Sequence, residues 1–218
     1  MTLQVVVDPF GAAALLVRLP DQASVHALAA GLVHDLSAGD LVDVVPGDRT
    51  ILVRFDGTDA GETVARRRVG EISAASDRLM APRPRRHIVP VSYGGEHGPD
   101  LAEAAAIAGI TPARLVELHA GRDHTVGFLG FAPGFAYLGD VDPAIVVPRL
   151  AVPRTSTPAG SVAIAERYTG IYPADLPGGW RVIGRTPLTM FDPAASPPTT
   201  LLPGDVVRFV AEGGGPVP

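Results

Sequence analysis

Four of the twelve aromatic residues in the chain, Phe128, Phe131, Phe135 and Tyr137, fall within ten positions of the run FLGFAPGFAYLGDVDP, residues 128–143. Gly130, Pro133, Gly134 and Gly139 separate them, which no regular helix accepts. Glycine lets a backbone turn sharply and approach a ligand, proline stiffens a loop, and rings give rigid apolar area at low side-chain entropy. The run therefore reads as a cleft wall, with Phe131, Pro133, Gly134, Phe135 and Tyr137 as its binding candidates. The same composition serves a barrel core or a partner interface equally well. Trp180, the only tryptophan, follows Gly178 and Gly179 and either stacks on a ligand or fills a β core.

The acid/base candidates are few. Glu96 lies in the glycine-rich turn GGEHGPD, where a carboxylate also accepts backbone N–H bonds. His119 precedes Gly121 by two residues, where an imidazole also suits a helix C-terminus. His97 and His124 read as surface histidines. Glu96, His97, His119 and His124 show neither a helical i, i+4 pair nor HExxH spacing, so no metal site is expected. Ser161 in PAGSV lacks the GxSxG elbow, and no Ser-His-Asp arrangement assembles from the sequence.

Absent residue types exclude whole chemistries. The chain has no cysteine, which removes thiolate nucleophiles, Fe–S ligation and cysteine-based zinc sites. All 18 basic residues are arginine, so there is no Schiff-base lysine, no biotin-carrying lysine and no P-loop lysine. The net charge of -5 is spread along the chain and gives no basic field for nucleic acid or anionic membrane. With no charged leader and no run of about 18 apolar residues, a soluble cytoplasmic protein is expected.

The elements that must position these residues fall into two domains, 1–83 and 84–218. In the first, β-like runs at 3–7 and 13–19 precede a helix capped by Asp21, with Val25, Leu28, Ala29, Leu32, Val33 and Leu36 on one face and Gly39 as its stop. A hairpin follows at 41–45 and 50–55, then a second helix over about 61–79 carrying Val64, Arg68, Ile72 and Leu79, with Arg66 and Arg67 on its polar face. This is an α+β pattern, an antiparallel sheet with helices on one face. The segment APRPRR, residues 81–86, interrupts it and marks the boundary.

The second domain opens with a strand at 87–93. Asp100 and Glu103 form a capping box for a helix to Ala108, and Thr111-Pro112 opens another ending at Gly121. This pair resembles a helix-turn-helix, but the would-be recognition helix offers little beyond Arg114, Glu117 and His119 on an acidic protein, so no nucleic-acid partner is expected. The β-like runs VGFLGF, AIVVP, SVAIA, GIYPA, WRVIG, LTMF and VVRFV then point to an all-β barrel or sandwich with two short helices.

These segments carry a resemblance. YGGEHGPDL, LVELH, GFAPGFAYLGDVDP, the run PRTSTPAGSVAIAERYTGIYPADLPGGWRVIGRTPLTMFDP and the closing LLPGDVVRFV resemble the family of bacterial 5-oxoprolinase B subunits. The family is also known as allophanate hydrolase subunit 1 and as the Kip-type inhibitor of a sporulation histidine kinase. The resemblance covers nearly all of the second domain; the first matches in length and pattern only. It implies a cyclophilin-like β-barrel and a hydrolase subunit, inactive alone, that works with cognate A and C subunits to open 5-oxo-L-proline to L-glutamate. It further implies ATP with Mg²⁺ in the assembled complex, and no covalently bound cofactor on this chain. Related modules imply two alternatives, an allophanate hydrolase or urea-carboxylase-type carboxyltransferase component, and a non-catalytic kinase inhibitor.

Opening a lactam sets further demands. Amide resonance protects the carbonyl carbon until its oxygen becomes a phosphate ester, so such a site needs cations for phosphate and substrate carboxylate and an acid/base group. Arginine's planar fork suits both anions. With that implied chemistry, Arg185, Glu96 and His119 are the catalytic candidates, and Arg154, Arg181 and Trp180 join the aromatic run as substrate-binding candidates.

Overall fold

The computed structural model describes residues 4–36, 39–75 and 83–212. The chain divides into two compact units, Met1–Arg83 and Pro84–Pro218.

Unit one contains β1 (Val6–Pro9), β2 (Ala14–Arg18), α1 (Gln22–Leu36), β3 (Asp43–Pro46), β4 (Thr50–Arg54) and α2 (Asp59–Ala74). Its four strands form an antiparallel sheet in the order β1-β2-β4-β3. The register pairs Leu15 with Val53 and Val17 with Ile51, so strand alternation buries all four on one face. Val25, Leu28 and Leu32 of α1 and Ala65 and Val69 of α2 join the same core.

Several sequence expectations shift here. Leu3 lies outside the described residues, and the first strand runs later than 3–7, because Phe10 N–H closes a turn on the Ala14 carbonyl at 2.8 Å. Pro9 is tolerated since β1 is an edge strand. The Asp21 cap forms, accepting from Ser24 N–H at 2.8 Å, but Val33 is 49% exposed rather than on the buried face. Helix α2 starts at Asp59 because Thr58 caps it, and its buried stripe is Ala65, Val69 and Ser73 rather than one built on Val64 and Arg68. Leu79 lies outside the described residues.

Unit two contains β5 (Arg86–Tyr93), α3 (Leu101–Ala108), α4 (Pro112–Ala120), β6 (Asp123–Leu129), β7 (Ala136–Gly139), a 3-10 turn (Pro143–Ile145), β8 (Arg154–Thr157), β9 (Ser161–Ala165), β10 (Tyr168–Ile171), β11 (Leu176–Gly178), β12 (Arg181–Arg185) and β13 (Val206–Ala211). Seven strands close a barrel in the order β10-β7-β6-β13-β5-β12-β9, and β8 pairs with β11 outside it. Only short segments depart from expectation. AIVVP becomes the 3-10 turn with a single bridge from Val147 to Glu166, and LTMF contributes only a bridge from Phe191 to Thr199. The helix pair buries Leu101, Ala104, Leu115, Val116 and His119 in the barrel core and leaves Arg114 and Glu117 exposed, paired at 2.8 Å.

The expected capping box is absent. Asp100 occupies the N-cap position of α3 without a side-chain cap bond, because a stronger partner takes its carboxylate. Arg154 of β8 donates to it bidentately at 2.9 and 2.6 Å, and Val182 N–H of β12 donates at 2.7 Å. Three elements thus converge on one buried carboxylate. Glu103 turns instead to Arg181, with Nη1 2.9 Å from Oε2.

His119 is fully buried in the barrel interior. Its Nε2 lies 2.8 Å from Thr169 Oγ1 on β10, and that hydroxyl donates its own proton to the Ala163 carbonyl at 3.0 Å. Nε2 must therefore carry the ring proton, leaving Nδ1 to accept from Tyr93 O–H of β5 at 2.7 Å. Phe209 of β13 stacks on the ring at 4.5 Å between centroids. His124, expected at the surface, is also buried, with Nε2 donating to the His119 carbonyl at 2.9 Å.

Burial, reinforced by the nearby His124, holds the His119 pKa well below the usual histidine range. The folded imidazole stays neutral while the unfolded one takes a proton below about pH 6.5, so its contribution to stability is complete above that pH and lost as pH falls. Burial acts on His124 in the same direction. The urea midpoint is expected to drop between pH 7 and pH 5, and His119→Gln to give a lower midpoint at pH 7 with a shallower pH slope. Equal slopes in the two proteins would show that His119 does not carry the dependence.

Candidate functional site

Among the described residues, one cleft of the barrel unit takes Arg185 and another takes Phe131, Phe135, Tyr137 and Trp180. The first, of about 530 Å³, is the more polar of the two and forms where β5 and β12 end side by side, with Arg185 paired to Ser92 in register. Arg185 is exposed, and its Nε donates to the Ala159 carbonyl at 3.1 Å. Gly160 is required beside it: its φ is +79°, and a Cβ there would lie 2.3 Å from the Thr186 carbonyl oxygen. Ser92 Oγ donates to Glu212 Oε2 at 3.1 Å, and His97 completes one wall. Glu96 sits beyond that wall with its side chain 87% exposed, 3.8 Å from His97 Nε2. Arg185 and Glu96 are therefore both accessible, and His97 lines the cleft that holds Arg185 while lying 3.8 Å from Glu96.

The second cleft, of about 270 Å³, is aromatic and lies at the other end of β12, next to Trp180. Phe135 is its hub, making edge-to-face contacts with Phe131, Tyr172 and Trp180 at 5.6, 5.3 and 5.4 Å between centroids. Tyr137 closes on Trp180 at 5.5 Å. Such perpendicular contacts hold each ring in place, so the wall is preformed. Gly178 makes room for the Tyr172 hydroxyl, which a Cβ would approach to 2.1 Å. Burial raises the pKa of both Tyr137 and Tyr172, and the Arg149 guanidinium at the rim partly offsets this for each.

Three arginines of similar promise in the sequence have different uses. Arg154 is bound to Asp100, and Arg181 is buried, with Nε donating to the Pro148 carbonyl at 2.9 Å and Nη1 beside Glu103. Neither offers its fork to a substrate, so both substrate-binding assignments are corrected: their partners were invisible until the fold brought Asp100 and Glu103 to them. His119 is corrected too, since both of its ring nitrogens are committed inside the core. Gly134 is buried and serves packing rather than ligand approach, because a Cβ there would lie 2.7 Å from Phe191 Cβ. Pro133 is exposed on the loop. The imagined metal set is split, with His119 and His124 in the core and Glu96 and His97 on a surface turn.

Ser92, Glu212, Arg149 and Tyr172 line these clefts without having been singled out in the sequence. Tyr172 falls in the quoted run GIYPADLPGG, where Gly178 hints at a close approach. Arg149 stands in a segment without periodicity, which gave no signal.

The carboxyltransferase domain family, subdomains C and D, matches residues 5–201. A relative, the 5-oxoprolinase B subunit of Bacillus subtilis (strain 168), is 51% identical over 122 residues, which are 56% of this chain and 51% of that protein. The match thus spans about half the length of that relative. The crystal structure of TTHA0988 aligns with 94% of this chain and 40% of its own, at 32% identity and a TM-score of 0.78. The urea carboxylase of Kluyveromyces lactis shares the fold, with a TM-score of 0.73 at 19% identity over 97% of this chain and 22% of its own.

The two kinds of arginine separate experimentally. Arg154→Ala strands the buried Asp100 carboxylate and is expected to cost about 3 kcal/mol of stability. Arg185→Ala removes an exposed side chain and should change stability by less than about 0.5 kcal/mol. Urea unfolding of both variants checks this, and equal losses would contradict the assignment.

Proposed function

The chain belongs to the carboxyltransferase family of subdomains C and D, and from that membership we propose that it is the B subunit of an ATP-dependent 5-oxoprolinase. It acts with cognate A and C subunits, in the cytoplasm, to open 5-oxo-L-proline to L-glutamate, and is inactive alone. The 51% identity to a 5-oxoprolinase B subunit is the observation that carries the reading. On this reading the closed barrel is the cyclophilin-like barrel of that family.

The polar cleft supports the chemistry. Arg185 is exposed in it, and a guanidinium fork there would bind the oxygens of a phosphate or carboxylate bidentately. ATP, when bound in the assembled complex with Mg²⁺, supplies the phosphoryl group that activates the lactam carbonyl. Among the described residues no group of three or more histidines and carboxylates is placed to hold a metal ion. On this reading the chain's share is anion binding by Arg185 and proton transfer by Glu96, whose exposed carboxylate lies 3.8 Å from His97 Nε2. His119 ties β5 to β10 across the barrel and so steadies the strand that carries Ser92.

Carboxyl transfer is the second reading, favoured by the family's own description and by the fold shared with a urea carboxylase. The two are separated by mixing this chain with its candidate A and C subunits, omitting each in turn, and following 5-oxoproline-dependent ATP hydrolysis and glutamate release. Turnover should require every component, and Arg185→Ala or Glu96→Ala should lower kcat/KM by about 100-fold at unchanged stability. A complete mixture that releases no glutamate but carboxylates an acceptor from an added biotinylated carrier would replace the first reading with the second.

A further inference from the structure

An exposed arginine has many rotamers, and an anion site on Arg185 works only if its fork is held in one place. The protein restrains it through Nε, which donates to the Ala159 carbonyl at 3.1 Å. Among the described residues neither Nη group has a partner, so both are left to a ligand. The aim of the guanidinium therefore depends on what holds Ala159.

Ala159 sits in the turn Pro158-Ala159-Gly160 between β8 and β9. Backbone groups hold most of this turn. Ser161 N–H donates to the Pro158 carbonyl at 3.2 Å, Gly160 N–H to the Tyr172 carbonyl at 2.8 Å, and Thr186 N–H to the Gly160 carbonyl at 2.9 Å. Ala159 differs, because side chains take both of its polar groups. Arg185 donates to its carbonyl, and its own N–H donates to Asp175 Oδ1 at 2.8 Å. The Gly160 bond fixes the peptide plane that carries the Ala159 carbonyl. The plane before it has only the long Ser161 bond and Asp175, so without Asp175 the turn can swing about Ala159 and take the carbonyl with it.

Asp175 reaches the turn because of the ribbon outside the barrel. It immediately precedes β11, and the pairing of Leu176 with Thr157 of β8 sets it alongside Pro158, one residue from Ala159. Asp175 is exposed and makes no ion pair among the described residues, so neutralising a cation is not its role. We infer that Asp175 is a positioning residue for the polar cleft, holding Ala159 so that the Ala159 carbonyl aims the Arg185 fork at an anion. The inference rests on the reading of Arg185 as the anion-binding group of the proposed 5-oxoprolinase.

The test reads the Arg185 Nε–H directly by NMR in the full chain, the signal being assigned by its loss in Arg185→Ala. Exchange of that proton with water should speed up at least about fivefold in Asp175→Ala and stay within about twofold of the parent in Asp175→Asn, whose amide oxygen still accepts from Ala159 N–H. The urea midpoint of Asp175→Ala should move no more than that of Arg185→Ala. In the assembly with A and C subunits, Asp175→Ala should lower kcat/KM about tenfold, mainly through KM, with Asp175→Asn restoring it and the double variant no worse than Arg185→Ala alone. Unchanged Nε–H exchange in Asp175→Ala, failure of Asp175→Asn to restore it, or losses that multiply in the double variant would overturn the inference. The two readings fail separately. A parent assembly that releases no glutamate removes the 5-oxoprolinase reading and leaves the Nε–H signal to decide the positioning, whereas an unaltered signal in an active assembly removes the positioning and leaves the reading.

Discussion

The barrel depends on one imidazole held neutral in its interior. His119 arrives on α4 and receives the Tyr93 hydroxyl proton from β5 while giving its own proton to Thr169 on β10. Those strands are separated in the barrel by β12 and β9, so the bond chain crosses the interior rather than following a neighbouring pair. Phe209 stacks on the ring from β13 and His124 reaches the His119 backbone from β6. With both nitrogens of His119 satisfied inside an apolar core, the polar chain fixes one arrangement among several an all-aliphatic core would permit. The polar cleft at the ends of β5 and β12 inherits that precision.

The arginines follow a related logic. With no lysine in the chain, every cationic task falls to a side chain that cannot shed its charge, and burial then demands a dedicated carboxylate. Asp100 and Glu103, both at the start of α3, answer Arg154 and Arg181 from two different strands. These pairs leave Arg185 and Arg149 as the guanidinium groups facing the two clefts. Structural and functional arginines are thus separated by the carboxylates the fold can deliver to them, a property of tertiary contact rather than of any motif.

This explains what could be read in advance. Helix α1 was legible because Asp21, an apolar period and Gly39 are local signals, and the hairpin of β3 and β4 because its turn residues are contiguous. Asp100 was misread because the sequence shows its proximity to Glu103 but not to Arg154, 54 residues away. His124 was placed on the surface because a lone histidine in a polar stretch gives no sign that the barrel will close over it. The strands β7, β8 and β11 are three or four residues long, too short for alternation to show. The aromatic run could be read equally as wall, core or interface, while Arg149, which lines the same cleft, came from a segment with no pattern.

The barrel has seven strands, and an odd ring cannot alternate direction all the way round. One adjacent pair must run parallel, and here it is β5 with β13, the first and last strands of the unit, matched over six residues from Val206↔Arg86 to Ala211↔Val91. Closure therefore waits for β13 to be synthesised. Until then β5 and β6 each present an unsatisfied edge, and the chain emerging from a ribosome passes through an open sheet that other chains could extend. The topology that seals the finished barrel makes the docking of β13 the step on which its folding yield turns.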